Sequence, residues 1–406
     1  MENLELELEK NRQTEIVEPY KLPAGWKWCK QSEVCKLVDG EKIADKEYPY
    51  LEVKYLRGTK EKSFVTSGKL IKKGTKVILV DGENSGEVFA IHEDGYMGST
   101  FKALSIENVD ENYLQYFITT KKDLYRNNKK GSAIPHLNKD LFKNMPFPLP
   151  PTFDEQQRIV NRIETMFAKL DEAKEKVQNV VDNFETRKAA ILHKAFSGQL
   201  RIDNEELTIA DWEDTTIGEC CKLGSGGTPS KSHPEYYENG IIPWLKTGEI
   251  DWNDIYDVEE RITNAGVENS SAKIFPAESV VVAMYGMGVT RGKAAIIKIP
   301  TTTNQAVCVL QPNKKLNNRF LFYYFMCNYW QVREQSVGGN QLNLSGKIIA
   351  SFPIKLPPLN YQLSIVNFLD TVLEKETCAK EAAQTVLEQI ALLKKTILAR
   401  AFRGEL

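Results

Sequence analysis

The feature that most constrains this chain is that it ends the way its own middle ends. Residues 191–200 read ILHKAFSGQL and residues 397–406 read ILARAFRGEL. Six of the ten positions are identical, and Lys194 is answered by Arg400. The copies stand 206 residues apart in a chain of 406. A repeat on that scale decides the architecture before any local reading does.

The repeat runs upstream of the decamer. PFPLPPTFDEQQRIVNRI (146–163) matches PIKLPPLNYQLSIVNFL (353–369), with Pro150-Pro151 on Pro357-Pro358 and Ile159-Val160-Asn161 on Ile365-Val366-Asn367. The first copy has one extra residue between the prolines and the glutamine; from Ile159 to Leu200 the offset then holds at 206. Further upstream the likeness thins. LPAGWKWCKQSEVCKL (22–37) is matched by DWEDTTIGECCKL (211–223), YPYLEVK (48–54) by IPWLKTG (242–248), and ENYLQYF (111–117) by NRFLFYY (318–324). GSAIPHLN (131–138) loosely resembles VGGNQLN (337–343). Offsets there wander between 186 and 207, so the loops differ while a frame persists. The chain reads as a leader (1–20), a variable domain (21–150), a helix (151–200), a second variable domain (201–355) and a second helix (356–406).

Both gapless stretches carry a helical signature. Ile163, Met166, Leu170, Ala173, Val177, Val180, Phe184 and Ile191 recur at spacings that place them on the a/d seam of a coiled coil, with a break at Arg187. Leu369, Val372, Ala379, Ala383, Val386, Ile390, Leu393 and Ile397 take the same phases in the second copy, interrupted at Glu376. A proline pair opens each helix, and Gly198 or Gly404 closes it. Some 38 residues make a helix of roughly 57 Å. Two helices of equal length with matching seams are predicted to pack on each other, antiparallel. The alternative is that each packs on its own domain. In the variable regions, VTSGKLIKKGTKVILV (65–80) and AKIFPAESVVVAMYG (272–286) are short β-branched runs bounded by Gly and Pro, which are strand signals. Each variable region is therefore expected to be a mixed α+β globule.

Composition narrows the function classes. No run of about 18 apolar residues occurs, so no membrane span is expected. The start, MENLELELEKNRQTEIVEPY, lacks the basic residues and apolar run of a signal peptide. Seven cysteines without CxxC spacing suggest reduced thiols in a cytoplasmic protein. Net charge is −2 overall, but residues 21–145 hold 22 Lys and Arg against 17 Asp and Glu, and residues 202–353 hold 13 against 18. Contact with nucleic acid would have to come from local patches.

Catalytic motifs are wanting. GSGGTPSKS (224–232) is glycine-rich but has no GK[ST], so it is not a P-loop, and GMGVTRG (286–292) has the wrong glycine spacing for a dinucleotide fingerprint. LPPT and LPPL lack the amide or acid and the aromatic of an amino-methyltransferase tetrad. His92, His136, His193 and His233 form no HExxH. No residue is assigned to catalysis or to a metal.

What remains are basic, polar and aromatic loops. Lys54, Arg57, Lys60 and Lys62 fall in VKYLRGTKEK, followed by Lys69, Lys72, Lys73 and Lys76; Lys121, Lys122, Arg126, Lys129 and Lys130 fall in KKDLYRNNKK. Cations at this density suit a phosphate backbone, although most lysine clusters are only solvated surface. In the second region the candidates are Thr228, Ser230, Lys231, Trp244, Lys246, Arg291, Lys293, Asn304, Gln305, Asn340, Gln341 and Asn343. Asn, Gln and Arg can pair bidentately with base edges; they also commonly cap turns.

The whole pattern resembles the specificity (S) subunit of a Type I restriction-modification enzyme. The resemblance is carried by LPAGWKW, by LGSGGTPSKSHPEYYENGIIPWLKTGEI, by TNQAV (303–307), by LPPTFDEQQRIV and LPPLNYQLSIV, and by AFSGQL and AFRGEL. It spans nearly the whole chain after about residue 20; NYQ (360–362) departs from the acidic-Gln dipeptide of the first copy. The resemblance implies an α+β fold with two mixed α/β target recognition domains separated by two long antiparallel coiled-coil helices. Each domain would read one half of a bipartite double-stranded DNA target. The helices would set the spacer and dock two methyltransferase (M) subunits, with motor-nuclease (R) subunits joining for cleavage. The chain itself would hold no cofactor: S-adenosylmethionine belongs to the M subunits, and ATP and Mg to the R subunits. A Type IIB-like system is the nearest alternative.

Overall fold

A computed structural model describes residues 18–130, 135–202, 205–206, 212–286, 288–336 and 343–406. They fall into two compact units. One comprises the chain up to Gln178 together with Gln384–Leu406; the other is Asn179–Ala383. Each unit therefore combines a globule with pieces of both long helices.

In the first unit one strand pair opens and closes the globule. Lys27–Lys30 runs antiparallel to Pro146–Leu149, with Trp28 opposite Pro148. A four-stranded sheet follows the order Cys35–Val38, Phe101–Ile106, Lys76–Leu79, Val88–Ala90, and a five-stranded sheet the order Glu41–Ile43, Gly68–Ile71, Gly95–Met97, Tyr48–Leu51, Phe64–Val65. Val77 and Ile78 are both fully buried, so the KVILV run (76–80) expected as a strand is covered on both faces. Short helix α1 (Gln31–Val34) leads into the first sheet. Helix α2 (Glu111–Thr120) begins at Asp110, whose carboxylate accepts the N–H groups of Asn112 and Tyr113. It buries Tyr113, Leu114, Phe117 and Ile118 on one face. Helices α3 (Lys122–Asn127) and α4 (Lys139–Asn144) follow, and α5 (Phe153–Asp182) starts just after the proline pair.

The core of this unit is finished by the far end of the chain. Phe402 lies 5.0 Å from the Tyr113 ring and 5.4 Å from the Phe117 ring, and Phe117 meets Phe147 at 4.8 Å. Leu398 and Ala401 are buried in the same cluster. Gly404 holds a left-handed φ of 73°, and a side chain there would strike Pro23.

The second unit repeats the plan. Helix α6 (Phe184–Phe196) enters first, and Arg201–Ile202 pairs with Glu205–Glu206. Glu213–Thr216 runs antiparallel to Pro353–Leu356 and again brackets the globule. Helix α7 (Ile217–Cys220) leads into a five-stranded sheet ordered Cys221–Ser225, Val307–Pro312, Val280–Ala283, Ala294–Ile297, Asp254–Ile255. A three-stranded sheet places Ile242–Leu245 between Arg261–Ile262 and Thr302–Thr303. Helix α8 (Asn318–Cys327) is capped by Asn317, and α9 (Tyr329–Glu334), α10 (Gly346–Ser351) and α11 (Leu359–Ala401) complete the unit. Here Phe196 plays the part of Phe402, 5.0 Å from Phe320 and 5.9 Å from Tyr324. Each repeated decamer thus packs on the globule of the other half of the sequence. Both packing expectations are therefore met in part: each helix starts on its own globule and ends on the other.

Within each unit the helices run antiparallel. In the first, Arg158 donates to the Leu406 carbonyl at 3.2 Å and Asp171 pairs with Lys394 at 2.6 Å. In the second, Glu185 faces Lys380 at 3.8 Å and Arg187 faces Glu376 at 2.8 Å. The backbone break falls at Asn183 rather than Arg187, because α5 ends at Asp182; α11 is continuous through Glu376. Of the seam residues, Ile163, Phe184, Leu369, Ala383 and Ile390 are buried, while Met166, Leu170, Val177, Val180, Ile191, Val372 and Ile397 are partly covered. Val386 and Leu393 are 38% and 49% exposed. Leu387 and Lys394 take the covered positions instead, since a helix of 3.6 residues per turn drifts away from a strict 3.5 repeat. The loose match of GSAIPHLN to VGGNQLN also shifts: Leu137 donates its N–H to the Val80 carbonyl and Leu344 to that of Met284, so Leu137 answers Leu344.

Candidate nucleic-acid interface

In each globule three segments meet at one corner. In the first unit they are the loop after Lys76–Leu79, helix α3, and the segment leading into α4. Gly82 donates to the Pro135 carbonyl at 2.8 Å and Leu137 to that of Val80 at 2.7 Å. Buried Tyr125 anchors α3 by donating its hydroxyl to Gln31 at 3.1 Å. A cleft of about 530 Å³ opens there, lined by Glu83, Asp123, Arg126, Asn127, Lys129 and Pro135. In the second unit the matching corner is built from the loop after Val280–Ala283, helix α9, and the segment entering α10.

The predicted cations divide sharply on geometry. Lys60 pairs with Glu52 at 2.5 Å, Lys62 with Glu93 at 2.8 Å, Lys72 with Asp94 at 2.9 Å and Lys130 with Asp140 at 2.7 Å. Lys69 and Lys102 both bond Asp39, and these hydrogen bonds hold its carboxyl down at about 2. Lys76 is buried, with its ammonium on Asn112 and Gln115. Lys121 lies over the Phe117 ring at 5.4 Å, and burial lowers its pKa. Arg57 and Lys122 converge on Glu87, which joins the two basic stretches of the sequence at this corner. Among the described residues, Lys54, Lys73, Arg126 and Lys129 also have no ion pair. Arg126 and Lys129 line the cleft and are the cations best placed for a phosphate.

In the second unit, Thr228 donates to Gln305 at 2.6 Å, Ser230 bonds Ser232 at 2.7 Å, and Lys231 is exposed. Trp244 is a correction: it is 2% exposed, and its indole N–H donates to the Gly227 carbonyl at 3.0 Å, so it packs the core and has no face for a base. Lys246 lies near that ring and pairs with Glu260; Lys293 pairs with Asp251. Asn304 accepts the Ala306 N–H at 3.1 Å, which is a turn role. The Asn343 side-chain oxygen Oδ1 is buried without a partner, and Asn340 and Gln341 lie outside the described residues. Burial lowers the Arg291 pKa, and the Arg333 charge beside it adds to this.

The glycine-rich stretch is explained by packing. A side chain on Gly226 would sit 1.9 Å from the Thr303 carbonyl, and one on Gly227 would sit 2.0 Å from the Ser271 hydroxyl. These glycines let the chain press against Thr303 and Ser271, which is a packing role. Among the described residues no cluster of His, Cys, Asp or Glu could hold a metal, and no helix is long and apolar enough to cross a membrane.

Two residues escaped the sequence reading. Gln156 and Gln362 are buried at equivalent positions early in α5 and α11. Gln156 accepts the Asp110 N–H at 2.7 Å, and Gln362 the Asn317 N–H at 2.8 Å. Asp110 and Asn317 cap α2 and α8, so each glutamine ties a long helix to the cap of its globule's aromatic helix. Their recurrence in DEQQ and NYQ was the available signal.

Known proteins share this plan. A family model for the Type I restriction modification DNA specificity domain matches residues 23–183 and 209–389. The Type I restriction enzyme MjaVIII specificity subunit of Methanocaldococcus jannaschii is 26% identical over 403 residues, covering 91% of this chain and 92% of that protein. The EcoR124I/EcoR124II specificity subunit of Escherichia coli is 30% identical over 163 residues, 39% of this chain and 40% of that one. The HsdS subunit from Thermoanaerobacter tengcongensis superposes with a TM-score of 0.63 at 20% identity, over 96% of this chain and 99% of that one. A chain from a structure describing complex assembly and conformational transition of the type I R-M system gives a TM-score of 0.75 at 19% identity, over 96% and 100%.

Proposed function

Because the chain belongs to the Type I restriction modification DNA specificity family, we propose that its two globules, residues 21–150 and 201–355, each read one half of a bipartite DNA target. Its relatives are specificity subunits of Type I restriction enzymes, and the reading leaves the chemistry to other subunits. The observation that carries the reading is the duplicated corner. The same three backbone segments recur in both units, while the side chains on them differ. A shared frame with divergent tips suits two reading heads for two different half-sites.

The helices bring the rest of the reading. They would hold the half-sites at a set spacing and dock two methyltransferase subunits, with motor-nuclease subunits joining them. S-adenosylmethionine, ATP and Mg would then be held by those partners. The test is sequencing of adenine methylation in cells carrying this chain and its methyltransferase, against cells lacking the chain. A bipartite methylated motif that vanishes without the chain is expected. A motif that persists unchanged would overturn the reading.

A further inference from the structure

The corner of the second unit carries a bare indole on a stiff mount. Trp330 is 67% exposed, and Val289, on the loop after Val280–Ala283, is 59% exposed. The Tyr329 hydroxyl donates to the Val289 carbonyl and so ties α9 to the loop. Arg333 donates to the carbonyls of Arg291 and Gly288, each at 2.7 Å, and to the Tyr329 hydroxyl at 3.1 Å. Its guanidinium lies 5.3 Å from the Tyr329 ring and 5.8 Å from the Trp330 ring, and the two rings meet edge-on at 5.0 Å. The loop is thus pinned to the helix by one arginine, and the indole stands on top.

Leaving a large apolar ring this exposed costs solvation free energy, and fixing it costs entropy. A ring held rigidly in solvent suits a flat partner with a π face. The charges beside it favour a polyanion: Arg333 adjoins the ring and Arg291 lies beside Arg333, while Asp251, a carboxylate on the loop's flank, is already paired with Lys293. The first unit offers an internal comparison. There the matching helix α3 keeps the arginine, as Arg126, but puts Asp123 where Trp330 stands, and Asp123 pairs with Lys395. The cation is common to both corners and the aromatic is particular to the second.

We propose that Trp330 inserts against one base step of the half-site read by the second globule, partly unstacking it, with the positive charge of Arg291 and Arg333 near the flanking phosphates. The inference rests on the DNA-reading role proposed above. Aromatic and aliphatic wedges act this way in other DNA-binding proteins, and stacking on one base is worth enough to be measured by truncation.

The test uses the full chain assembled with its methyltransferase and a duplex carrying the motif found by methylation sequencing. 2-Aminopurine replaces each adenine of that half-site in turn, and its emission reports unstacking. With the unaltered chain, emission should rise at one position. With Trp330→Ala it should stay at the duplex level, and affinity should fall on the order of 10- to 100-fold. Trp330→Phe should keep most of both. The ring is exposed, so the alanine variant should fold, and co-elution with the methyltransferase checks its assembly. Unchanged affinity and emission in Trp330→Ala would overturn the inference while leaving the DNA-reading role standing. Loss of methyltransferase association in that variant would overturn it by making the ledge a protein interface. Absence of any preference for the motif with the unaltered chain would overturn the underlying reading as well.

Discussion

Arg187 and Glu376 are joined by an ion pair, Nε to Oε2 at 2.8 Å, between helices α6 and α11 in the second unit. Each interrupts the apolar repeat of its own helix, and the two interruptions meet. Arg187 also donates to the Val180 carbonyl at 3.1 Å, in the last turn of α5, where the helix end leaves carbonyls without helical partners. Across the 206-residue offset, Arg187 corresponds to Leu393 and Glu376 to Leu170. The seam of the second unit therefore holds a charged pair where the corresponding positions of the first hold leucines.

Losing one member of this pair should cost more than losing both. The side chains are 36% and 25% exposed, so solvent screens part of the attraction. Arg187→Leu and Glu376→Leu should each destabilise the protein, and the double variant should recover part of the loss. A coupling of about 1 kcal/mol is expected from chemical denaturation. Strictly additive single effects would show that the contact contributes nothing.

The buried glutamines should behave as clamps. Gln362 accepts the Asn317 N–H and donates to the carbonyls of Lys315 and Pro357 at 2.8 and 2.9 Å. Gln362→Leu would leave three backbone groups unpaired at buried or part-buried positions, and Gln156→Leu at least one. Costs of about 2–3 and about 1–2 kcal/mol follow, since each unsatisfied group pays its desolvation. Thermal unfolding of the two variants ranks them. A neutral Gln362→Leu would contradict the clamp.

The decamer phenylalanines should act across the repeat. Phe402→Ala removes a buried ring from the Tyr113–Phe117–Phe147 cluster and should cost about 3–5 kcal/mol. Hydrogen exchange should then quicken in Glu111–Thr120, before any change in Asn318–Cys327. Phe196→Ala should do the reverse, more mildly, because Phe196 is only partly buried. Quickening in the globule that directly precedes the altered decamer along the chain, rather than in the other one, would contradict the crossed packing.

The thiols give a pH prediction. Burial pushes Cys29, Cys35, Cys221 and Cys308 up to about 12, and Cys327 up to about 11, from an ordinary 9.0. A raised folded pKa stabilises the fold fully below pH 9, and that stabilisation is lost as pH rises from 9 toward 12. At pH 8 only Cys378, the exposed thiol, should label quickly in the folded protein, with the count read by mass spectrometry. Rapid labelling of four or more thiols before unfolding would contradict this.

Much of the frame was legible because duplication leaves a trace that divergence cannot erase. Cys35 and Cys221, and the aromatic segments at 111–117 and 318–324, occupy matching elements. The sequence could not say which globule each decamer would meet, because the two decamers are nearly interchangeable and either pairing satisfies the pattern. Trp244 read as a stacking residue because an indole looks the same in sequence whether its N–H finds solvent or the Gly227 carbonyl. Trp330 was passed over for the opposite reason: it sits in an aromatic run that reads as core. Leu387 and Lys394 replaced Val386 and Leu393 on the covered face through a fraction of a turn of drift, which heptad counting does not register.

The central claim is that each globule reads its own half-site. The most direct measurement is adenine-methylation sequencing in cells where residues 21–150 alone are exchanged for the corresponding globule of a relative, with both long helices kept. The account predicts that one half of the methylated motif changes while the other half and the spacer persist. A motif that changes in both halves, or in neither, would contradict it.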